Sequence, residues 1–167
     1  EGGSASGKST LAELLTGIYP DAALFHADDY FLRPEQRTEA RYAQPGGNLD
    51  RERLESEILI PISRNKAAVY RPFNCRTLSL REPVTVLPGR LNIVEGSYSF
   101  HPELARYYDL SVFLDISPET QRSRILKRNG PEWGQQFFDR WVPLEQTYFH
   151  ETDTQGRCTL ALKEEIR

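Results

Sequence analysis

The fold is decided by the stretch Gly2-Gly3-Ser4-Ala5-Ser6-Gly7-Lys8-Ser9, which fits the pattern G-x-x-x-x-G-K-[ST]. Glycines at these positions let successive backbone N–H groups turn inward around a phosphate, at the positive end of the helix that follows. Lys8 is expected to bridge the β- and γ-phosphates of a nucleoside triphosphate, and the Ser9 hydroxyl to ligate Mg²⁺. An apolar helix follows at once over residues 8–16, whereas a Gly/Ser-rich linker would need none. The sequence therefore predicts that residues 2–10, including Thr10, bind the phosphates of ATP or another triphosphate.

Composition and charge narrow the classes of protein to consider. With 167 residues and 27% charged side chains, the chain fits one domain over residues 1–167. Its net charge of −3 argues against a general nucleic-acid binder, which carries a basic excess. No apolar run approaches the ~20 residues that span a bilayer, so we expect no membrane segment. Cys75 and Cys158 suit neither a metal site nor a disulfide framework, which favours a cytoplasmic setting, and homo-oligomer formation is left open.

The alternation of helical and strand-like segments predicts an α/β fold, a P-loop NTPase three-layer sandwich with a mainly parallel sheet, a small antiparallel flap and a helical lid. Strands are expected at 22–26, 91–94 and 110–116, and the flap at 67–70, 77–80 and 84–86. Helices are expected at 50–60, 102–108, 118–128 and 135–150, with the lid over about 118–134. Pro61 should end the first of these helices, and Pro143 should mark a kink or a new start within the last. The polar stretch 32–47 is expected to be a functional excursion from the core.

The start of the chain affects the expected sheet. Residues 2–9 form a motif that should follow a strand, yet only Glu1 precedes them in the sequence. The first strand is therefore expected to be missing or clipped to Glu1.

Carboxylates follow two of the predicted strands, at the sheet edge where ligands bind in open α/β folds. Asp28 and Asp29 come after strand 22–26: the first can accept the proton of an attacking hydroxyl, and the second can hold Mg²⁺ through water. Strand 91–94 ends at Glu95-Gly96, the form of a Walker B strand, whose acid lies beside Mg²⁺. The alternatives are a solvated acidic turn and a strand that merely ends in Glu, and the phosphate loop makes both less attractive.

A basic helix is predicted beyond Ser117, which should cap it with Pro118 at its first position. Arg124 and Arg128 are four residues apart and therefore share a face of this helix. Such a helix could close over the triphosphate and neutralise the charge that develops during transfer. An ordinary solvated basic face is the competing interpretation.

Together these motifs resemble the uridine kinase-like P-loop kinase family, the group of uridine kinases, nicotinamide riboside kinases and phosphoribulokinases. The resemblance covers nearly the whole chain and rests on the phosphate loop, Asp28-Asp29-Tyr30-Phe31, Pro72-Phe73-Asn74, Val94-Glu95-Gly96 and the lid from Arg124 to Asn129. More narrowly, residues 29–37 and Pro45-Gly46-Gly47-Asn48 resemble a bacterial uridine kinase-like subgroup.

The resemblance implies an ATP- and Mg²⁺-dependent phosphotransferase whose acceptor is an alcohol group of a small molecule, a nucleoside or related riboside. It implies that Asp28 is the base, that Glu95 is an acid linked to Mg²⁺, and that Arg124 and Arg128 are lid arginines that act with Lys8. The residues expected to contact the acceptor are Asp28, Tyr30, Arg33, Phe73, Asn74 and Arg76.

Two departures from the family concern the acceptor. Uridine kinases carry a Phe-Asp-His-Pro stretch whose acid binds the ribose diol, but residues 42–45 read Tyr-Ala-Gln-Pro, without an acid. Their Tyr-Asp-Phe-x-Thr-His motif, which contacts the base, becomes Phe-Asn-Cys-Arg-Thr-Leu at 73–78. Asp50 could replace the missing acid, although capping a helix is a sufficient role for it.

Two alternative functions stay open. A nucleotide-binding regulator or slow ATPase without an acceptor would explain the altered nucleoside motifs. A kinase for an anionic acceptor, such as a sugar phosphate or nucleoside monophosphate, would use bidentate donors from Arg33, Arg37, Arg41, Arg71 and Arg76, although a solvated charged loop is the favoured interpretation of these arginines.

The aromatic residues near the end of the chain are expected to serve core and lid-hinge packing: Trp133, Phe137, Phe138, Trp141, Tyr148 and Phe149.

Overall fold

Helices and short strands alternate through the computed structural model, which describes residues 1–164. The elements are α1 (Lys8–Ile18), β1 (Ala22–His26), α2 (Glu39–Tyr42), α3 (Arg51–Leu54), α4 (Ile60–Ser63), β2 (Ala68–Tyr70), β3 (Phe73–Asn74), β4 (Ser79–Leu80), β5 (Val84–Val86), β6 (Leu91–Glu95), β7 (Val112–Asp115), α5 (Pro118–Gln136), α6 (Val142–Glu151), α7 (Thr154–Arg157) and β8 (Leu160–Lys163). Short 3-10 helices lie at Ala27–Tyr30, Pro34–Gln36 and Ala105–Tyr107, and π-helical turns at Glu55–Leu59 and Phe137–Trp141.

Parallel strand pairs bring the ends of the predicted site strands together. β1 pairs with β6 in parallel, so that His26 lies opposite Glu95, and β7 pairs in parallel with β8. Gly2 forms a parallel bridge with Leu114, and the amide of Leu114 donates to the carbonyl of Glu1 at 3.0 Å. The phosphate loop therefore begins beside β7, and Ser97, just beyond β6, donates a hydrogen bond to the Gly2 carbonyl oxygen at 3.1 Å.

The predicted flap is present as short antiparallel pairs. β2 pairs with β5, and β3 pairs with β4. β3 was not expected from the sequence, because two residues after Pro72 are too few to show an alternating pattern. The final strand β8 was also missed, and its residues are exposed rather than buried in alternation.

Several helix boundaries differ from the sequence expectation. The helix that begins at α3 passes Pro61 and ends at Ser63, because a π-helical turn at Glu55–Leu59 changes the hydrogen-bond register and puts the proline at the start of α4. The helix expected at 102–108 is only a 3-10 turn. α5 extends to Gln136, but Gly130 within it has φ 77° and ψ 170°, which breaks the helix inside the expected break at 129–134. Pro143 follows a π-helical turn at Phe137–Trp141 and lies in the first turn of α6, which agrees with the new helix start expected there.

The hydrophobic core lies between β1, the helical run from α3 to α4, and α6. Phe25, Leu54, Ile58 and Tyr148 are fully buried in it. Leu49, just after the excursion, belongs to this core, and Leu32 at its start is also buried, while most residues between them are exposed or half-buried. Within residues 1–164, no helix combines the length and apolar character needed to cross a bilayer.

Candidate active site

The phosphate loop enters α1 through backbone conformations that most residues avoid. Gly7, directly before α1, has φ 96°, and Ala5 has φ 62°. A non-glycine residue held in this region is strained, and such strain collects at ligand sites. The Ser6 hydroxyl is buried and has no hydrogen-bond partner within the described residues 1–164. Strained backbone and an unsatisfied buried donor both fit a loop built to bind an anion.

The first two residues of α1 form hydrogen bonds to the loop and to the end of β6. Lys8 Nζ donates a hydrogen bond to the Gly3 carbonyl oxygen at 2.8 Å, and Ser9 Oγ donates to Glu95 Oε1 at 3.2 Å. An ammonium group has three donors, so the bond to Gly3 leaves Lys8 able to bind a phosphate as well. The Lys8 side chain therefore reaches across the loop to Gly3, and Lys8 also lines the cleft described next.

One cleft of about 1050 Å³ gathers most of the residues predicted for the donor side. Its lining includes Ser4, Ala5, Ser6, Gly7, Lys8, Ser9, Thr10, Asp28, Glu95, Arg124 and Arg128. The volume is in the upper range of small-molecule sites, large enough for two ligands of modest size. Gly2 and Gly3, at the start of the loop, are absent from the described cleft lining. A Cβ on Gly2 would come within 2.6 Å of the Leu114 carbonyl oxygen.

Asp28 follows β1 and lines the cleft, where the residue is exposed. Desolvation by the cleft walls raises the pKa of Asp28 above its ordinary value, whereas the charges of Lys8, His26 and Arg128 lower it, and Glu95 raises it further. A carboxylate with a raised pKa is a stronger base than a solvated one.

His26 was assigned no role from the sequence, yet it is the partner of Glu95. Its Nδ1 lies 2.6 Å from Glu95 Oε1. The hydrogen bond with Glu95 raises the pKa of His26, against the desolvation that lowers it. For Glu95, burial would raise the pKa, but the bonds and charges of His26, Lys8 and Ser9 together lower it. The β1–β6 register, which the sequence does not reveal, produces this pair.

We expect the pKa of His26 to lie above the ordinary value for histidine, which is about 6.5. The raised folded-state pKa means that the stability contributed by this pair is complete below the unfolded pKa and is lost as pH rises through the folded pKa. An NMR titration of the imidazole measures the value directly. E95Q removes the carboxylate and should bring the pKa of His26 down, so a His26 that titrates at or below its ordinary value would contradict the pairing.

The chain offers part of a magnesium site. Ser9 and Glu95 supply a hydroxyl and a carboxylate, and within residues 1–164 no cluster of three His, Cys, Asp or Glu side chains could hold a metal alone. Mg²⁺ bound with a nucleotide takes one or two carboxylates and completes its shell with phosphates and water, so this pair fits. Asp29, the third predicted ligand, is half-buried and is absent from the described residues that line the cleft.

Five of the residues expected to contact an acceptor lie outside the described cleft lining. Tyr30 and Phe73 are buried, and Tyr30 stacks on Tyr70 with ring centroids 5.9 Å apart. Asn74 Oδ1 accepts the amide of Arg76 at 2.9 Å, so it closes the turn between β3 and β4.

Arg33 is the fifth of these residues, and it interacts with its own excursion. Its Nε donates to Gln36 Oε1 at 3.1 Å and lies 4.0 Å from Asp50 Oδ2. Asp50 is 1% exposed, caps α3 by accepting the amide of Arg53, and also accepts a bond from Gln36. Asp50 therefore serves the fold, as its capping position suggested.

The two lid arginines line the cleft from α5. Arg124 Nη1 donates to the Ala5 carbonyl oxygen at 3.4 Å, and its Nη2 pairs with Glu164. Arg128 Nε donates to Asn129 Oδ1 at 3.1 Å, next to the break at Gly130. The first half of the expected lid is packed in place, because Gln121 and Ile125 are buried.

Sequence reasoning missed two groups of residues in the cleft. Trp133, Phe137 and Trp141 line it. Trp133 is 65% exposed and so does not pack in the core, whereas Tyr148 is buried there as expected, and the lid-hinge role stays a prediction. Glu145 also lines the cleft and bonds to the phosphate loop. No motif marks either group, because both depend on how α5 and α6 fold back onto the loop.

Comparisons with known proteins support the fold. No family model and no curated protein matches the sequence. Among solved structures, a possible uridine kinase from Bacillus stearothermophilus matches with a TM-score of 0.72 at 19% identity, over 96% of this chain and 84% of that one. A candidate fructose transport system kinase from Silicibacter sp. TM1040 matches with a TM-score of 0.67 at 19% identity, over 97% of this chain and 86% of that one.

The chain therefore has the mixed α/β fold, with parallel strands, of uridine kinase-like structures. This confirms the resemblance at the level of the fold. The three-layer arrangement and a moving lid stay predictions, and the matches leave the reaction to be argued from the site.

Proposed function

We propose that this chain is a kinase that transfers the terminal phosphoryl group of Mg·ATP to a hydroxyl group of a small molecule, a nucleoside or related riboside. The observation that carries the proposal is the shared cleft, in which Asp28 lies with the phosphate loop and the lid arginines. A protein that only binds a nucleotide has no need of a carboxylate that can accept the proton of an attacking hydroxyl.

The donor side would work by positioning and charge. Backbone N–H groups of residues 5–9 and the ammonium of Lys8 would hold the phosphates, at the N-terminus of the eleven-residue helix α1. Ser9 and Glu95 would hold Mg²⁺, which neutralises phosphate charge when it is bound. Phosphoryl transfer asks little covalent chemistry of the protein, so these contacts would account for most of the rate enhancement.

The acceptor side would supply a base and a closed site. Asp28 would accept the proton of the acceptor hydroxyl, and its raised pKa suits that task. Arg124 and Arg128 would neutralise charge on the transferring group from the opposite wall. The apolar part of the lining, which includes Phe31, Tyr98 and Trp141, would exclude water from the reacting atoms.

A turnover screen tests the proposal. ADP release from Mg·ATP is measured with and without nucleosides, ribosides, sugars and sugar phosphates, and the phosphorylated product is identified by mass spectrometry. We expect one class of acceptor to stimulate ADP release and to gain one phosphoryl group. ADP release that no acceptor stimulates would instead support a nucleotide-binding regulator or slow ATPase.

An anionic acceptor is a second candidate, and Arg37 favours it. Its Nε donates to the Leu32 carbonyl oxygen at 2.9 Å, and its guanidinium lies 5.8 Å from the Phe73 ring centroid. Arg41 is tied to Glu52, but Arg37 forms no ion pair within residues 1–164 and lines the cleft. Its terminal nitrogens are therefore available for a phosphate or carboxylate on the acceptor.

R37Q distinguishes the two acceptor classes. For an anionic acceptor we expect the acceptor KM to rise about tenfold and the KM of ATP to change by less than about twofold, because a hydrogen bond to a charged group is lost on the acceptor side alone. The exposed Arg64 lies outside the cleft, and R64Q is the matched charge control. An unchanged acceptor KM in R37Q would leave the neutral riboside as the better candidate.

A further inference from the structure

Two buried side chains, Glu145 and Gln121, form hydrogen bonds to Ser4 of the phosphate loop. Glu145 Oε2 accepts the Ser4 amide at 2.8 Å, and Glu145 Oε1 accepts the Ser4 hydroxyl at 2.6 Å. Gln121 Nε2 donates to the Ser4 carbonyl oxygen at 3.1 Å. The amide, the carbonyl and the hydroxyl of Ser4 are thus all bound by residues from α5 and α6, so this part of the loop has little freedom to reorient.

The contact is buried and closely fitted. Glu145 is 3% exposed and Gln121 is 7% exposed. A Cβ on Gly3 would lie 2.7 Å from Gln121 Nε2 and 3.5 Å from Glu145 Oε2, so a larger residue would displace the Gln121 amide from its present position. This gives Gly3 a packing role, separate from any contact with phosphate.

The Glu145 carboxylate is held by hydrogen bonds rather than by an ion pair. Besides the two donors of Ser4, it accepts the Ser97 hydroxyl at 2.9 Å, and it forms no salt bridge within residues 1–164. A buried carboxylate is costly unless its oxygens are satisfied, so these three donors explain why it is tolerated. They also fix its position relative to the loop.

The two anchors come from opposite sides of the break in the lid region. Gln121 lies on α5 before Gly130, on the same helix as Arg124, which reaches Ala5. Glu145 lies on α6, after the second half of α5 and the π-helical turn. Both ends of the segment that carries Arg128 and Trp133 are therefore attached at Ser4 of the loop.

We propose that Glu145 is a positioning residue for nucleotide binding, which, through Ser4, holds the phosphate loop in the conformation that receives the phosphates. The proposal rests on the proposed phosphate binding. A loop fixed before the ligand arrives loses less conformational entropy on binding, so the contact with Ser4 increases affinity by holding the loop in place. Loss of the contact would let the strained backbone at Ala5 relax when no nucleotide is bound.

The test compares two substitutions at one position, with Mg·ADP as the probe. E145A removes all three hydrogen bonds, and we expect the Kd for Mg·ADP to rise about tenfold. E145Q should rescue most of the affinity, to within about threefold of the original protein, because its amide oxygen can accept the Ser4 amide while its NH₂ donates to the freely rotating hydroxyls of Ser4 and Ser97. E151A, at the exposed end of the same helix, is the control.

Calorimetric titration of protein shown to be folded by circular dichroism separates positioning from stability. A merely structural role would lower Tm in E145A but leave the Kd of the folded protein unchanged, and that result would overturn the proposal. E145Q that binds as weakly as E145A would also overturn it. If E145A does not fold, S4A decides: a rise in Kd of about threefold is expected from the loss of one hydroxyl donor, and an unchanged Kd overturns the proposal.

The outcome is separable from that of the proposed reaction. If the original protein binds Mg·ADP but phosphorylates no acceptor, the kinase proposal fails and the role of Glu145 is still measured. If the original protein does not bind Mg·ADP, phosphate binding itself is refuted, and the role of Glu145 with it.

Discussion

Replacing Asp28 by asparagine should lower the turnover of acceptor phosphorylation by about 10²- to 10⁴-fold, the range expected for loss of a general base. The substitution keeps the shape of the side chain and removes its ability to take a proton. Mg·ADP affinity should change by less than about twofold, because the phosphates are held by the loop amides and Lys8 rather than by Asp28. Turnover is measured as product formed at saturating Mg·ATP, and affinity by calorimetry.

The pH profile of the original protein gives a second check on Asp28. A base acts in its ionised form, so turnover should fall as pH falls through the pKa of Asp28. Desolvation raises that pKa above the ordinary value, so the loss should begin at higher pH than for a solvated aspartate. D28N should lose this acidic limb.

A matched control guards the interpretation of D28N. D21N changes an exposed aspartate just before β1, outside the described cleft lining, and should leave turnover unchanged. Wild-type turnover in D28N would falsify the assignment of the base. A large loss of Mg·ADP affinity in D28N would instead show that Asp28 acts on the donor side.

Lys8→Ala should reduce Mg·ATP-dependent phosphorylation by at least about 10³-fold. Lys8 bonds to Gly3 across the loop, so its loss removes both a phosphate contact and a link within the loop. We therefore expect weaker Mg·ADP binding as well, in contrast to D28N. The two variants together separate donor binding from proton transfer.

The control for Lys8 is K66A, which removes an exposed lysine after α4, outside the described cleft lining. Activity is followed by coupled ADP release and confirmed by the mass of the phosphorylated product. K8A that phosphorylates an acceptor at a rate within about tenfold of the original protein would place the triphosphate elsewhere, since no other lysine lines the described part of the cleft.

The sequence was informative wherever a local pattern carries a physical requirement. The phosphate loop needs glycines, a lysine and a serine at fixed spacing where a helix begins. In the structure, helix α1 begins at Lys8, directly after Gly7. Strand β1 was located to the residue, because an apolar run between turns at Pro20 and Asp28 leaves little choice of boundaries. The flap was recognised from its short β-type runs and prolines.

The acceptor side was harder to predict. Tyr30, Phe73 and Asn74 were expected to contact an acceptor because of the motifs they belong to, but the structure gives the first two to the core and the third to a turn. Motif position does not say which way a side chain points after a strand or turn. Arg37, one of five arginines considered, is the one that lines the cleft without an ion pair in the described chain, and only the contacts of its neighbours reveal that.

The sequence by itself determined the phosphate loop, the order of the main strands and the acids at their ends, because those features depend on residues close together in the chain. Tertiary structure alone decided that His26 meets Glu95 and that Glu145 holds Ser4, 141 residues away in the chain. Each of these pairs joins side chains from separate elements. Their contact depends on strand register and on how α6 packs against the loop, and local secondary-structure propensity carries no information about either.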